Sequence, residues 1–344
     1  MAQLETLQFC GDHIRLIDQR LLPKQLLYVE LHTVQQVFDA ILHMQVRGAP
    51  AIGVTAAYGM VLAAQQAGEA TFLADCEAAA AHLRSARPTA VNLPWALALM
   101  MQTAKEVQKA ATAARNEAML CRARAIEQED AQANVRMGEH LLSLLWDGCG
   151  VLTHCNAGVL ATTAYGTATS PFYLAQERGI RLHIYADETR PRLQGARLTA
   201  YELHRAGMDV TLICDNMAAV LMREKKIDAV ITGCDRVAQN GDTANKIGTY
   251  NVSILCQHFG IPLYIAAPTS TIDLDCPDGA HIPIEMRNAD EVRCIDGAWV
   301  APHDVKVYNP SFDVTPHAHI AAIVTEKGIV RPPYTENLRG LLVQ

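Results

Sequence analysis

VLTHCNAGVLATTAYGTATSPFYLAQERGIRLHIYAD, residues 151–187, runs from a short apolar stretch through a polar turn and a helical pattern to a second apolar stretch. Its strand-like ends are VLTHC and RLHIYAD. The same texture recurs as DVTLICD (209–215), AVITGCD (229–235) and PLYIAAP (262–268), each followed by a polar or glycine-containing turn and then helical spacing. Strand alternating with helix at this interval predicts an α/β fold with a parallel sheet covered on both faces. The second half therefore reads as a doubly wound, Rossmann-like parallel-sheet domain.

Upstream the period changes. From Val34 to about Leu145, apolar positions recur at three- and four-residue spacing through VQQVFDAILHM, AAYGMVLAAQQA, CEAAAAHLRSA and WALALMMQTAKEV, which predicts helices. Before them, Ile14 to Ile17 and Leu26 to Leu31 are strand-like and separated by a proline-containing turn, so a small N-terminal β-ribbon is expected. The expected domains are residues 1–130, a β-ribbon with a helical domain, and residues 131–344, the Rossmann-like catalytic domain. A length of 344 residues suits two cores.

Composition narrows the function. With 36 acidic against 29 basic side chains the formal charge is −7, and Lys and Arg form no run of five or six, so no nucleic-acid partner is expected. A few Arg and Lys at one site could still hold a small anion. The ten cysteines never form C-x-x-C, which removes zinc-ribbon and thioredoxin readings and leaves thiols of a reducing compartment. The start, MAQLETLQFCGDHIRL, has neither a basic nor an apolar leader region, and no apolar stretch reaches eighteen residues. A cytoplasmic protein with no membrane partner is expected. G-x-G-x-x-G after the first strand, G-x-x-x-x-G-K-[ST] and H-E-x-x-H are all absent, so neither a cofactor nor a metal is expected.

In doubly wound sheets, ligands bind outside the carboxyl ends of the strands. Four strand-like runs here end in Cys155, Asp187, Asp215 and Asp235. Each Asp could equally cap the helix that follows it. His154 adjoins Cys155, but neighbours in an extended strand point to opposite faces, so no Cys–His dyad is expected. In VRGAPAIG (46–53), Arg47 can fork onto a phosphate and Gly48 can bring the backbone close; alone, the octapeptide reads as readily as a turn before a helix. In GCDRVAQNGDTANKIGTY (233–250), Asn245 and Lys246 are expected to open a helix whose free N–H groups suit an anion.

These pieces, with RPTAVNLPWAL, ADETRPRLQGARLTAYEL and NPSFDVTPHAHIAAIVTEKGIV, resemble methylthioribose-1-phosphate isomerases in content and order, over essentially the whole chain. The superfamily also holds isomerases of ribose 1,5-bisphosphate and regulatory subunits of translation initiation factor 2B. The resemblance implies a cytoplasmic aldose–ketose isomerase of methionine salvage that acts on a sugar phosphate, works without cofactor, and forms a homodimer. It places the catalytic pair on Cys155 and Asp235, and substrate binding on Arg47, Gly48, Ala49, Arg87, Gln194, Asn245 and Lys246. Cys234 departs from the commoner alanine at its position.

The chemistry so implied is opening of a furanose whose anomeric oxygen carries phosphate and which therefore cannot open spontaneously. Asp235 is expected to protonate the ring oxygen and Cys155 to move a proton from C2 to C1. Trp95 and nearby Met or Leu side chains are candidates for a wall around a methylthio group, or plain core. Another C1-phosphorylated pentose, such as 5-deoxyribose 1-phosphate or ribose 1,5-bisphosphate, is the alternative substrate. A non-catalytic regulatory subunit is the alternative outside catalysis.

Overall fold

The computed structural model describes residues 4–87 and 92–343; residues 88–91, inside the RPTAVNLPWAL block, lie outside the described residues. The chain divides into two compact units, one of Gln3–Asn134 with Val159–Gly166, the other mainly of Val135–Gly158 with Thr167–Gln344. The segment Val159–Gly166 thus returns to the first unit.

That first unit opens with an antiparallel sheet of three strands, β1 (Leu7–Phe9), β2 (Ile14–Ile17) and β3 (Tyr28–Leu31), in the order β1-β2-β3. The expected ribbon gains β1, whose three residues are too few to show a period. Thr33 caps α1 (Val34–Leu42): its hydroxyl accepts from the Gln36 amide while the Gln36 side chain accepts from the Thr33 amide. Then follow α2 (Ala49–Gln66), α3 (Phe72–Ser85), α4 (Asn92–Val107) and α5 (Thr112–Leu142). Every residue of α2 from Ala51 to Ala64 is buried, so it forms the centre of this unit's core, with Val37, Ile41, Leu83, Leu93 and Met100 packed in the same cluster. The small side chains of α2 are what let so many neighbours close round one helix.

The second unit carries β4 (Cys149–Thr153), α6 (Ser170–Glu177), β5 (Leu182–Asp187), α7 (Ala200–Arg205), β6 (Val210–Ile213), α8 (Ala218–Arg223) and β7 (Ala229–Thr232). It continues through β8 (Arg236–Ala238), β9 (Thr243–Lys246), α9 (Thr249–Phe259), β10 (Leu263–Ala266), β11 (Ile272–Asp273), α10 (Asp290–Arg293), β12 (Cys294–Ile295) and β13 (Ala298–Trp299). It closes with β14 (Phe312–Thr315), β15 (Ala322–Thr325), β16 (Gly328–Val330) and α11 (Tyr334–Val343).

Seven strands form the main sheet in the order β16-β15-β10-β7-β4-β5-β6. All neighbours are parallel except the β15–β16 pair at one edge. Strands β4, β7, β10 and β15 are buried at every residue, which is why they read as unbroken apolar runs. A smaller sheet, β11-β8-β9-β14, lies in the same unit.

The strand order has a consequence for function. From β4 the chain moves outward to β5 and β6, then returns to β7 on the opposite side of β4 and proceeds to β10 and β15. Winding reverses between β4 and β7, and crevices at such reversals are where ligands of doubly wound sheets bind.

Candidate functional site

Cys155 lies two residues beyond β4 and Asp235 three beyond β7, so the two leave the strands that flank the reversal. Their loops are pressed together: a methyl on Gly233 would stand 2.7 Å from Cβ of Ala157. Asp187 and Asp215 belong to β5 and to the turn after β6, on one side of the reversal. Strand order therefore separates Cys155 and Asp235 from the other two rim groups.

The expectation that VLTHC stays extended through Cys155 is corrected. β4 ends at Thr153, and Cys155 takes a left-handed backbone, φ 67°. Such a conformation in a residue with a side chain costs on the order of 1–2 kcal/mol. Hydrogen bonds hold it: the Cys155 amide donates to Thr189 Oγ1 at 2.8 Å, and its carbonyl accepts from Thr199 Oγ1 at 2.7 Å. Asn156 Nδ2 donates to the same Thr199 hydroxyl at 3.1 Å. The thiol is half-buried.

His154 does not meet the thiol, for a reason other than strand alternation. Its Nδ1 pairs with Asp187 Oδ2 at 2.9 Å and its Nε2 with the Ile247 carbonyl at 2.9 Å, so both nitrogens are taken. Burial opposes the charged ring, but the Asp187 hydrogen bond and charge, the Ile247 carbonyl and Asp215 raise its pKa overall. Asp215 accepts from the amides of Thr189 and Arg190, at 2.7 Å each, and so shapes the turn beyond β5. Neither Asp187 nor Asp215 caps the helix that follows its strand.

Asn245 and Lys246 are also corrected. They end β9, paired with Asp313 and Phe312 of β14, and do not open a helix. The helix α9 starts three residues later, after Gly248 at φ 106°, a conformation that only glycine adopts readily. Its N-terminus is already occupied: the amides of Gly248 and Tyr250 donate to the Asp313 carboxylate at 2.7 and 3.1 Å. Lys246 Nζ donates to the Ser311 carbonyl at 2.9 Å and lies 4.9 Å from the Phe312 ring centre; Asn245 Nδ2 donates to the Thr249 hydroxyl at 3.0 Å. Gln194 immediately precedes a π-helical turn, Gly195–Thr199, that leads into α7. It is buried, and its Oε1 has no hydrogen-bond partner among the described residues.

In the helical unit, Arg47, Gly48 and Ala49 stand at the N-terminus of α2, whose N-cap residue, Gly48, has no side chain with which to cap it. The sequence alone left a choice here between phosphate contact and a plain turn before a helix, and the helix that follows is α2. Gly48 has a packing role besides: at φ 90° its missing Cβ would fall 2.4 Å from Cα of Ala161. Arg87 follows α3, and Trp95, in α4, is 40% exposed and so is not core.

Among the described residues, two groups set three potential metal ligands together: His154 with Asp187 and Asp215, and Asp12 with His13 and His32. In the first, His154 and Asp215 already spend their ligand atoms on the hydrogen bonds above. Cys234, next to Asp235, has its thiol pushed up to about 12 by burial, which makes it inert.

The sequence profile of the Initiation factor 2 subunit family matches residues 45–332. The chain belongs to this family. Among its relatives in the family, a protein of Bacillus thuringiensis named 5-deoxyribose 1-phosphate isomerase is 55% identical over 342 residues, 98% of this chain and 99% of the relative. A crystal structure of 5-methylthioribose 1-phosphate isomerase from Pyrococcus horikoshii superposes with a TM-score of 0.94 at 42% identity, covering 98% of this chain and 96% of that one. Subunit delta of translation initiation factor eIF-2B from A. fulgidus gives 0.91 at 40% identity, covering 99% and 100%. The family thus spans sugar-phosphate isomerases and translation-factor subunits, and this chain stands with the isomerases. No helix among the described residues is long and apolar enough to cross a membrane.

Proposed function

We propose that the protein converts 5-deoxyribose 1-phosphate into 5-deoxyribulose 1-phosphate. The observation that carries this choice of substrate is the 55% identity, end to end, to a relative named for that sugar. The 42% identical isomerase of 5-methylthioribose 1-phosphate favours that sugar as a second reading. Both substrates are furanose 1-phosphates without a 5-hydroxyl, and the bonds made and broken are the same.

In the proposed reaction the Asp235 carboxylic acid gives its proton to the ring oxygen as the bond from that oxygen to C1 breaks. The Cys155 thiolate takes the proton from C2, whose bonding pair becomes the C1–C2 double bond of an enol phosphate. The C2 hydroxyl then returns a proton to Asp235, the C2 carbonyl forms, and the Cys155 thiol protonates C1. Both groups end as they began. General acid–base steps of this kind contribute about 10²–10⁴-fold each.

Arg47 and Arg87 are proposed as forked donors to the phosphate, with the backbone N–H groups of Gly48 and Ala49, at the start of α2, as further donors. Asn245 and Lys246, which as neighbours in β9 point to opposite faces, are proposed as separate substrate contacts. Gln194 is proposed to accept from a sugar hydroxyl, a role supported by its buried Oε1, which has no partner among the described residues. The homodimer is part of the same proposal, and mass in solution tests it.

Purified protein should form ketose from 5-deoxyribose 1-phosphate with a kcat/KM above that for 5-methylthioribose 1-phosphate. The reverse ranking would install the second reading, and inactivity on both would remove the isomerase assignment. Turnover in deuterium oxide should place deuterium at C1; full retention of the C2 hydrogen there would point to hydride transfer.

A further inference from the structure

The histidine beside the reactive cysteine does not pair with the thiol, yet its ring is almost wholly enclosed. Side-chain exposure is 1% for His154 and 0% for Asp187. The Ile247 carbonyl can only accept, so Nε2 must carry a hydrogen. One further proton is then shared between Nδ1 and Asp187 Oδ2. Three carboxylates face the ring from separate elements: Asp187 at the end of β5, Asp215 after β6, and Asp313 in β14.

The backbone is built around this ring. Gly248 passes so close that a methyl there would stand 2.8 Å from the ring's Cε1 and Nε2. On one side His154 is bonded directly to Cys155 in sequence; on the other it holds the carbonyl of Ile247, the residue after Lys246. Asp187 extends the connection, since its carbonyl accepts from the Thr189 hydroxyl at 3.0 Å, the same hydroxyl that receives the Cys155 amide. Two independent paths therefore run from this pair to the backbone of Cys155.

We infer that His154 is a positioning residue: its ring, clamped between Asp187 and Ile247, ties the loop bearing Cys155 to the turn that follows Lys246. The inference deepens the proposed function and rests on its reading of Cys155 as the proton-transfer base. His154 touches neither substrate nor thiol in this role. It sets where the sulfur sits, and misplacement of a reacting group by about 1 Å can cost on the order of a hundredfold in rate.

Substitution at Asp187 tests this with the ring still present. Asp187→Ala removes the partner of Nδ1. Asp187→Asn restores one, its amide donating to Nδ1 while Nε2–H still donates to Ile247. With 5-deoxyribose 1-phosphate, Asp187→Ala should lower kcat about tenfold or more while KM changes less than about threefold, and Asp187→Asn should recover kcat to within about threefold of wild type. The rate of Cys155 alkylation by iodoacetamide, read by peptide mass spectrometry, should depart from wild type in the alanine protein and return in the asparagine protein. An asparagine variant as impaired as the alanine one would overturn the inference, as would an alanine variant with wild-type kcat and alkylation. If Asp187→Ala does not fold, His154→Gln, which cannot reach both partners, decides by the same two readings: a loss of about tenfold supports the inference and wild-type values overturn it. An inactive wild type would instead defeat the substrate reading, and alkylation would still decide the positioning role.

Discussion

The amide of Cys155 donates to the hydroxyl of Thr189, and both residues hold a left-handed backbone, at φ 67° and 65°. One strained residue thus props another. Thr189 in turn is fixed through its own amide by Asp215 and through its hydroxyl by the Asp187 carbonyl. Two of the four rim residues, Asp215 through its carboxylate and Asp187 through its main-chain carbonyl, therefore serve the backbone that presents a third.

Thr189→Val keeps the shape of the side chain and deletes the hydroxyl, leaving the Cys155 amide without its acceptor. An orphaned polar group costs about 1–3 kcal/mol, and the melting temperature should fall accordingly. Isomerase kcat should fall further than the loss of folded protein explains, because the cysteine backbone is released. A lower melting temperature with unchanged kcat would show that Thr189 serves stability alone.

At Gly48 two roles compete, and they separate experimentally. Gly48→Ala places a methyl 2.4 Å from Cα of Ala161 on a backbone at φ 90°. Overpacking and left-handed strain together predict a loss of about 2–4 kcal/mol. Denaturant unfolding should register it, while the protein that remains folded should bind sugar phosphate with a smaller proportional change. A mutant of native stability with lost binding would reverse the assignment.

How far the fold could be read from sequence followed from burial. Strands β4, β7 and β10 are enclosed on both faces, so their apolar runs announce them, and α1 shows its helical period because one side meets the core. β1 and β8 have three residues each, too short for any period to appear. Asn245 and Lys246 misled because TANK carries no strand pattern; it is β9 through pairing with β8 and β14, the latter some seventy residues on. For the candidate site, strand ends supplied four equivalent groups, and only the resemblance ranked Cys155 and Asp235 first. The sheet order sets the same two apart, both following the strands at the reversal. Strand order depends on long-range pairing, which no local pattern records.

The thiols should sort by enclosure. Burial pushes Cys76 and Cys149 up to about 11 and Cys234 and Cys256 up to about 12, so at mildly alkaline pH they hold almost no thiolate. Iodoacetamide on the native protein should label Cys155 and the exposed Cys10 ahead of these four, with mass spectrometry reading each site. Bound sugar phosphate should protect Cys155 and leave Cys10 unchanged. Labelling of Cys234 at the Cys155 rate in folded protein would contradict its enclosure.

Acid should act through Asp242. Burial opposes its charge, but Asn240, the amides of His317 and Gly279 and the His317 ring hold its pKa below the ordinary 3.8. A carboxylate with a depressed folded pKa contributes stability that is full above the unfolded value and is lost as pH falls through the folded one. Asp242 Oδ1 accepts from the His317 amide at 2.8 Å, and Oδ2 from the Gly279 amide at 3.0 Å and Asn240 Nδ2 at 2.8 Å. Asp242→Asn turns one of these acceptors into a donor facing donors. At neutral pH, where the wild-type carboxylate is charged, the substitution should cost about 1–2 kcal/mol, reduced from a fully buried case by water at this partly exposed site. As pH falls below 3.8 the wild type loses the same contacts, so the two unfolding curves should converge. Unfolding followed from neutral pH down to the acid limit of the folded protein measures this, and a difference that stayed constant with pH would mean the carboxylate charge has no part in holding these loops.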